Sequence, residues 1–215
     1  MAATCVHDGG HSAVGRYLPG AGRLRFLLVC DACGAKRGDV DSLAYRPHPR
    51  PFANHPADRI ARALGIEPRR AGRVRLAALL CDIGSARIPD GVLAKPGPLT
   101  PDDWEAVRRH PQHGAAMLGG PGYDDLRPWI LAHHERPDGR GYPSALPASD
   151  IPLEASVVSV ATSWEAMTDD RPHRRALTPL VACQQLLSGA GTQFEPAVVA
   201  TAVSVLAPAV GRAAA

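Results

Sequence analysis

Lysine is nearly absent from this 215-residue chain: of its 24 basic residues all but Lys36 and Lys95 are arginine. Against 21 acids they leave a formal charge of only +3, too small to argue for nucleic acid by itself, although an anionic ligand would be welcome. No apolar run approaches the roughly 18 to 20 residues needed to span a bilayer. The first residues lack the charged-then-apolar order of an export signal, so a soluble, cytoplasmic protein with no membrane partner is expected. Five cysteines at irregular spacing do not make a disulfide framework; they point to thiols and metal ligation instead. No internal repeat is evident. With 45% hydrophobic residues the chain is neither a fibre nor a disordered tail, and it can bury one good core with a small appended module.

Composition changes along the chain. Residues 1–45 are rich in glycine and turns and hold one short β-like run, Leu24 to Cys30. The closely spaced prolines of Tyr45 to Pro51 forbid a helix and read as an extended linker, placed at 46–56. From 57 to 208 apolar residues recur at three and four positions, the period of helices packed on a core, so the fold class is mainly α with a small β and loop module in front. Helices are expected near 57–65, 72–83, 101–109, 112–119, 126–134, 154–168, 178–188 and 195–207, with ends good to about two to four residues. Thr100-Pro101-Asp102-Asp103 supplies a capping hydroxyl, a first-turn proline and acids for the positive helix end, and Thr178-Pro179 repeats the device. Cys183, Trp104, Trp129 and Trp164 sit at helical spacing and read as core.

Two constellations carry chemistry. In the first, Cys5 and His7 form C-x-H, and Cys30 and Cys33 form C-x-x-C followed by Gly34. Two residues between sulfurs let both converge on one ion, so a structural zinc closed by Cys5, His7, Cys30 and Cys33 is expected, with His11 as a spare ligand. The alternative is that Cys30 and Cys33 are incidental thiols. A basic and aromatic surface of Arg23, Arg25, Phe26, Lys36 and Arg37 gives a weaker nucleic-acid reading, and nucleic acid is not the expected partner.

The second constellation centres on His133 to Pro143, reading His-His-Glu-Arg-Pro-Asp-Gly-Arg-Gly-Tyr-Pro. Adjacent histidines suit metal binding at a helix end. Cys81-Asp82 and His110 also fall near helix ends. Asp82, His110, His133 and His134 together form a nitrogen-rich set with one carboxylate, suited to iron, manganese or zinc. Glu135 reads as a partner that fixes an imidazole, and Asp138 before Gly139 as an acid or a turn former. His113 reads as an exposed helical residue.

Residues 72–206 resemble the HD-GYP family, metal-dependent phosphodiesterases of the HD superfamily that act on cyclic di-GMP. The resemblance runs through Ala78 to Gly84, Ile88-Pro89-Asp90, Lys95 to Thr100, His110-Pro111, the His133 to Pro143 signature, Ile151 to Ala155, Asp170-Arg171-Pro172 and Gly191 to Phe194. It implies an HD-type helical bundle in which ligands from separate helices surround two or three ions. By position Asp82 resembles the bridging aspartate, His110, His133 and His134 the later histidine ligands, and Gly141-Tyr142-Pro143 the loop that completes the site. Three positions depart: the His of the His-Asp pair is Cys81, the phosphate-supporting lysine is Ser85, and the late aspartate is Thr162. His55 is a candidate for the first-helix histidine, and Cys81 for a thiolate ligand.

With these changes one ion is expected in the HD-type site, and Asp82 and Glu135 are the catalytic candidates. Loss of one ion and of the lysine would remove on the order of 4 kcal/mol, about a thousandfold in rate. The expectation is therefore a weakly active or inactive signalling module that senses a ligand or binds a protein partner. Its alternative is a phosphodiesterase working through the residual site. Arg136, Arg140, Tyr142 and Arg171 are candidates for holding a cyclic dinucleotide, since arginine forks match phosphate.

Overall fold

The computed structural model describes residues 11–18, 23–30, 36–42, 55–93, 95, 98–170 and 175–207. The β-like run becomes β2, Arg23–Cys30, flanked by β1, His11–Leu18, and β3, Lys36–Ser42, in one antiparallel sheet of order β1-β2-β3. His11 pairs with Cys30 at one end of the β1–β2 ladder. Cys5, His7 and Cys33 lie outside the described residues.

Nine helices follow among the described residues: α1 Pro56–Ala63, α2 Pro68–Leu80, α3 Asp90–Leu93, α4 Pro101–Arg108, α5 His110–Met117, α6 Leu126–Leu131, α7 Leu153–Thr168, α8 Pro179–Ser188 and α9 Pro196–Leu206. Six of them carry proline at the first or second position, where a missing N–H costs nothing. The Thr100 hydroxyl accepts from Asp103 N–H while the Asp103 carboxylate accepts from Thr100 N–H, a complete capping box. Thr178 accepts from Val181 N–H in the same role.

The described residues form two compact units, one drawn from 1–49 and 79–131, the other from 50–78 and 132–215. In the first, α5 lies against α6 and against a short 3-10 turn, Ile83–Arg87, around Ile83, Leu126, Trp129 and Ile130. In the second, α1, α7, α8 and α9 close on Ile60, Val157, Val158, Val160, Leu186 and Val198. The apolar period places Val157, Val158, Val160, Ala161 and Trp164 on the buried side of α7.

One expectation needs correction. Trp104 is 48% exposed on α4, outside the core that Trp129 and Trp164 occupy. The helices expected to reach 83 and 134 stop at Leu80 and Leu131, within the two to four residues allowed at their ends. The residues beyond them are turns in which Cys81, Ile83 and His133 are buried while Asp82 is exposed. Among the described residues no helix is long and apolar enough to cross a membrane.

Candidate metal centre

Asp82 and His110 are brought together by a glycine. After α2 ends, Cys81 and Asp82 turn the chain into Ile83–Arg87. A Cβ on Gly84 would lie 2.0 Å from the His110 carbonyl oxygen and 2.4 Å from Gly114 N, so only a bare Cα lets this turn rest on the first turns of α5. That approach sets Asp82 Oδ1 3.3 Å from His110 Nε2. The His110 Nδ1 lies 2.8 Å from the Val107 carbonyl oxygen. A carbonyl only accepts, so Nδ1 carries the proton and Nε2 is left as the ring's ligand atom, the arrangement metal-binding histidines use. His110 is buried, whereas the Asp82 side chain is 52% exposed.

The signature stretch is a loop tied back on its own beginning. His133 is 1% exposed and His134 is half-buried, with ring centroids 4.1 Å apart. Glu135 is buried, and its two oxygens accept from Ser144 N–H at 2.7 Å and Leu146 N–H at 3.0 Å. Tyr142 N–H donates to the His134 carbonyl at 3.2 Å, and the Tyr142 ring stacks on His134 with centroids 4.7 Å apart. A Cβ on Gly141 would lie 2.5 Å from both Arg136 N and Glu135 Cα, which explains glycine there. The Asp138 N–H donates to the Thr192 carbonyl at 3.2 Å, linking the signature to the Gly191–Phe194 block.

Arg136 grips Asp138 with two bonds, Nε to Oδ1 at 3.0 Å and an η nitrogen to Oδ2 at 2.6 Å, and Asp138 Oδ1 also accepts from Arg140 N–H. The guanidinium bond holds the Asp138 carboxyl down at about 2, helped by the Arg140 amide, and the same bond raises Arg136 above its ordinary value. The fork of Arg136 is thus engaged within the loop, while Arg140 is exposed.

The ligand atoms of Asp82, His110, His133 and His134 all lie within 4.8 Å of one another. Ligands at about 2.0–2.2 Å from a shared ion stand roughly 3 to 4 Å apart, so this spacing and three imidazoles with one carboxylate fit a divalent transition metal. Glu135, Cys81 and His55 are not members of that cluster. Cys81 is 2% exposed. The Thr162 hydroxyl donates to the Val158 carbonyl of its own helix at 2.9 Å. His55 caps α1 and meets Glu165, whose Oε1 lies 3.4 Å from His55 Nε2. Glu165 did not emerge from sequence reasoning; its only signal is that it stands one helical turn beyond Thr162 on the same face. Arg171 lies outside the described residues.

A family model described as HD domain matches residues 43–198. The chain belongs to the HD domain family. The His133–Pro143 signature and its relatives put it in the HD-GYP group of that family. This HD domain protein is 38% identical over 146 residues to the cyclic di-GMP phosphodiesterase response regulator RpfG of Xanthomonas campestris pv. campestris, covering 66% of this chain and 39% of that protein. It is 36% identical over 144 residues to a cyclic di-GMP phosphodiesterase of Thermotoga maritima, with shares of 66% and 39%. It is 29% identical over 145 residues to the 3'3'-cGAMP-specific phosphodiesterase 2 of Vibrio cholerae, with shares of 66% and 28%. The HD domain chain therefore spans well under half the length of these curated relatives. Among solved structures, Bd1817, a HDG"Y"P protein from Bdellovibrio bacteriovorus, shares the fold with a TM-score of 0.55 at 21% identity, over 73% of this chain and 52% of that one.

Proposed function

We propose that the helical part of this chain is a metal-dependent phosphodiesterase that opens a cyclic dinucleotide, cyclic di-GMP or its relative 3'3'-cGAMP. The observation that carries this reading is the convergence of Asp82, His110, His133 and His134. Relatives whose names specify hydrolysis of these dinucleotides support it. The sequence-based expectation of an inactive module has less behind it, because Cys81, Ser85 and Thr162 leave this four-ligand set untouched.

A single divalent ion of iron, manganese or zinc, held by these four residues, would polarise the phosphoryl oxygens and the attacking water. In the hydrolysis a water oxygen bonds to phosphorus, one ester P–O bond breaks, and the departing ribose oxygen takes up a proton. Asp82, with half its side chain exposed, is the group placed to orient the incoming water. The buried Glu135 holds the loop that presents Tyr142 and Arg140. Tyr142 offers a flat apolar rim and Arg140 a cation for phosphate, with Arg136 and Arg171 as further contacts. Within this proposal the four N-terminal ligands Cys5, His7, Cys30 and Cys33 hold a separate structural zinc, and a protein partner reads the nucleotide state.

The test is turnover by the purified chain loaded with Mn(II), with linear dinucleotide followed by chromatography. Hydrolysis of cyclic di-GMP or 3'3'-cGAMP that disappears with chelator and falls at least a hundredfold in His133→Ala is expected. Absence of hydrolysis of either nucleotide by manganese-loaded protein would refute the proposal and favour a binding module.

A further inference from the structure

The register of the N-terminal sheet sorts its residues onto two unlike faces. β1 and β2 pair without a shift, and residues opposed on a rung share a face, so His11 and Cys30 lie on the face of Ala13, Tyr17, Phe26 and Leu28. The arginines of these strands, Arg16, Arg23 and Arg25, fall on the other face, where Asp39 and Asp41 of β3 join them. The His11–Cys30 rung is the last of the ladder, and β3 starts opposite Val29, one residue short of it. The covalent connection runs from Leu18 to Arg23, the rung at the far end. A nitrogen-bearing and a sulfur-bearing residue thus stand opposite each other where the chain leaves the two strands unjoined. Opposed Cα atoms in an antiparallel ladder are about 4.5–5.5 Å apart, which suits two donors that stand roughly 3 to 4 Å apart on one tetrahedral zinc.

We propose that His11 and Cys30 are two ligands of the N-terminal zinc, so that His11, and not His7, supplies its nitrogen. His7 stands four positions before His11, ahead of the first rung. Cys33 follows Cys30 at the C-x-x-C spacing that lets two sulfurs converge on one ion, and Cys5 is the remaining thiol of the set. The zinc ties β1 to β2 at the open end of the ladder, a staple of the kind small modules use in place of a large core. This inference rests on the structural zinc proposed above and exchanges one of its ligands.

The experiment is Co(II) substitution in the full chain, read from thiolate-to-cobalt charge-transfer and tetrahedral ligand-field absorption, with zinc competition to give the affinity. Bands that Cys30→Ser abolishes are expected in the parent, and His7→Ala should keep them at the parent's affinity. His11→Ala should lower the affinity at least about tenfold, the cost that even a group behind a metal ligand carries. His11→Cys should restore the affinity with a stronger charge-transfer band, since it returns a ligand to the same rung. A parent-like His11→Ala protein, a His7→Ala protein that loses the bands, bands that survive Cys30→Ser, or failure of His11→Cys to restore what His11→Ala loses would overturn this ligand set. A parent without any thiolate band would remove the N-terminal zinc altogether, and His11 with it. Absence of nucleotide hydrolysis with these bands intact would strike the proposed phosphodiesterase alone.

Discussion

The imidazole of His110 and the bare Cα of Gly84 are one device: the ring reaches Asp82 because nothing separates the 82–87 turn from α5. In Gly84→Ala, a methyl would sit 2.0 Å from a backbone oxygen that no side-chain rotation can move, so the turn itself must shift. Overpacking of this kind costs about 1–3 kcal/mol. A fall in melting temperature accompanied by weaker Mn(II) binding is the expected result, measured by calorimetry and metal titration. Glu135 acts at the same scale on the other side of the signature. Glu135→Ala leaves two backbone donors, Ser144 and Leu146, without their acceptor. Each loss costs about 1–3 kcal/mol if the amides stay buried. The Tyr142–His134 stack should loosen with it, which faster amide exchange at 142–146 would reveal.

At the scale of elements, the threonine-capped helix starts were legible in the sequence, while α2 and α6 end three residues before the expected positions. Threonine followed by proline marks a start by local chemistry alone, and Thr100 and Thr178 cap α4 and α8 as that pattern requires. Past Leu80 the apolar spacing continues through Cys81 and Ile83, because those turn residues are also buried, at 2% and 7% exposure. Burial period alone does not separate a helix from a buried turn. The strands β1 and β3 escaped for a related reason: their partner hydrogen bonds lie across the sheet, outside any local pattern.

The signature loop has an electrostatic tie with a defined pH window. Asp138 falls from an ordinary 3.8 to about 2 in the folded chain. A carboxylate lowered on folding stabilises the fold above its unfolded value and stops doing so as pH drops through its folded one. The contribution is therefore intact at pH 5 and fades between about 4 and 2. Asp138→Asn should reduce stability at pH 5 and flatten this limb, read from urea unfolding at pH 5 and pH 3. Asp103, also lowered to about 2, by Lys95 and its capping contacts, titrates in the same window, so the limb will shrink rather than vanish.

For the molecule as a whole, ligands at positions 82, 110, 133 and 134 make metal and stability one question. An ion that binds only the folded chain adds about 2.7 kcal/mol at a hundred times its Kd. For a chain of this size that corresponds to roughly 5 to 10 °C in melting temperature. Mn(II) added to chelator-stripped protein should raise the melting temperature by about that amount, and His133→Ala should abolish the response. A melt indifferent to Mn(II) in the parent would remove the basis for a shared centre.

The sequence by itself determined the residue types of the site, the mainly helical class and the colinear blocks, because ligand chemistry, helix period and capping are written in near neighbours. Which donors converge was decided only in three dimensions. His55 and His110 are the same residue type near helix starts, and the polarity of one backbone group beside each, an amide for His55 and a carbonyl for His110, sets where the proton sits. The clamp role of Glu135 was likewise settled by packing, since a carboxylate takes its function from the donors that the fold brings to it.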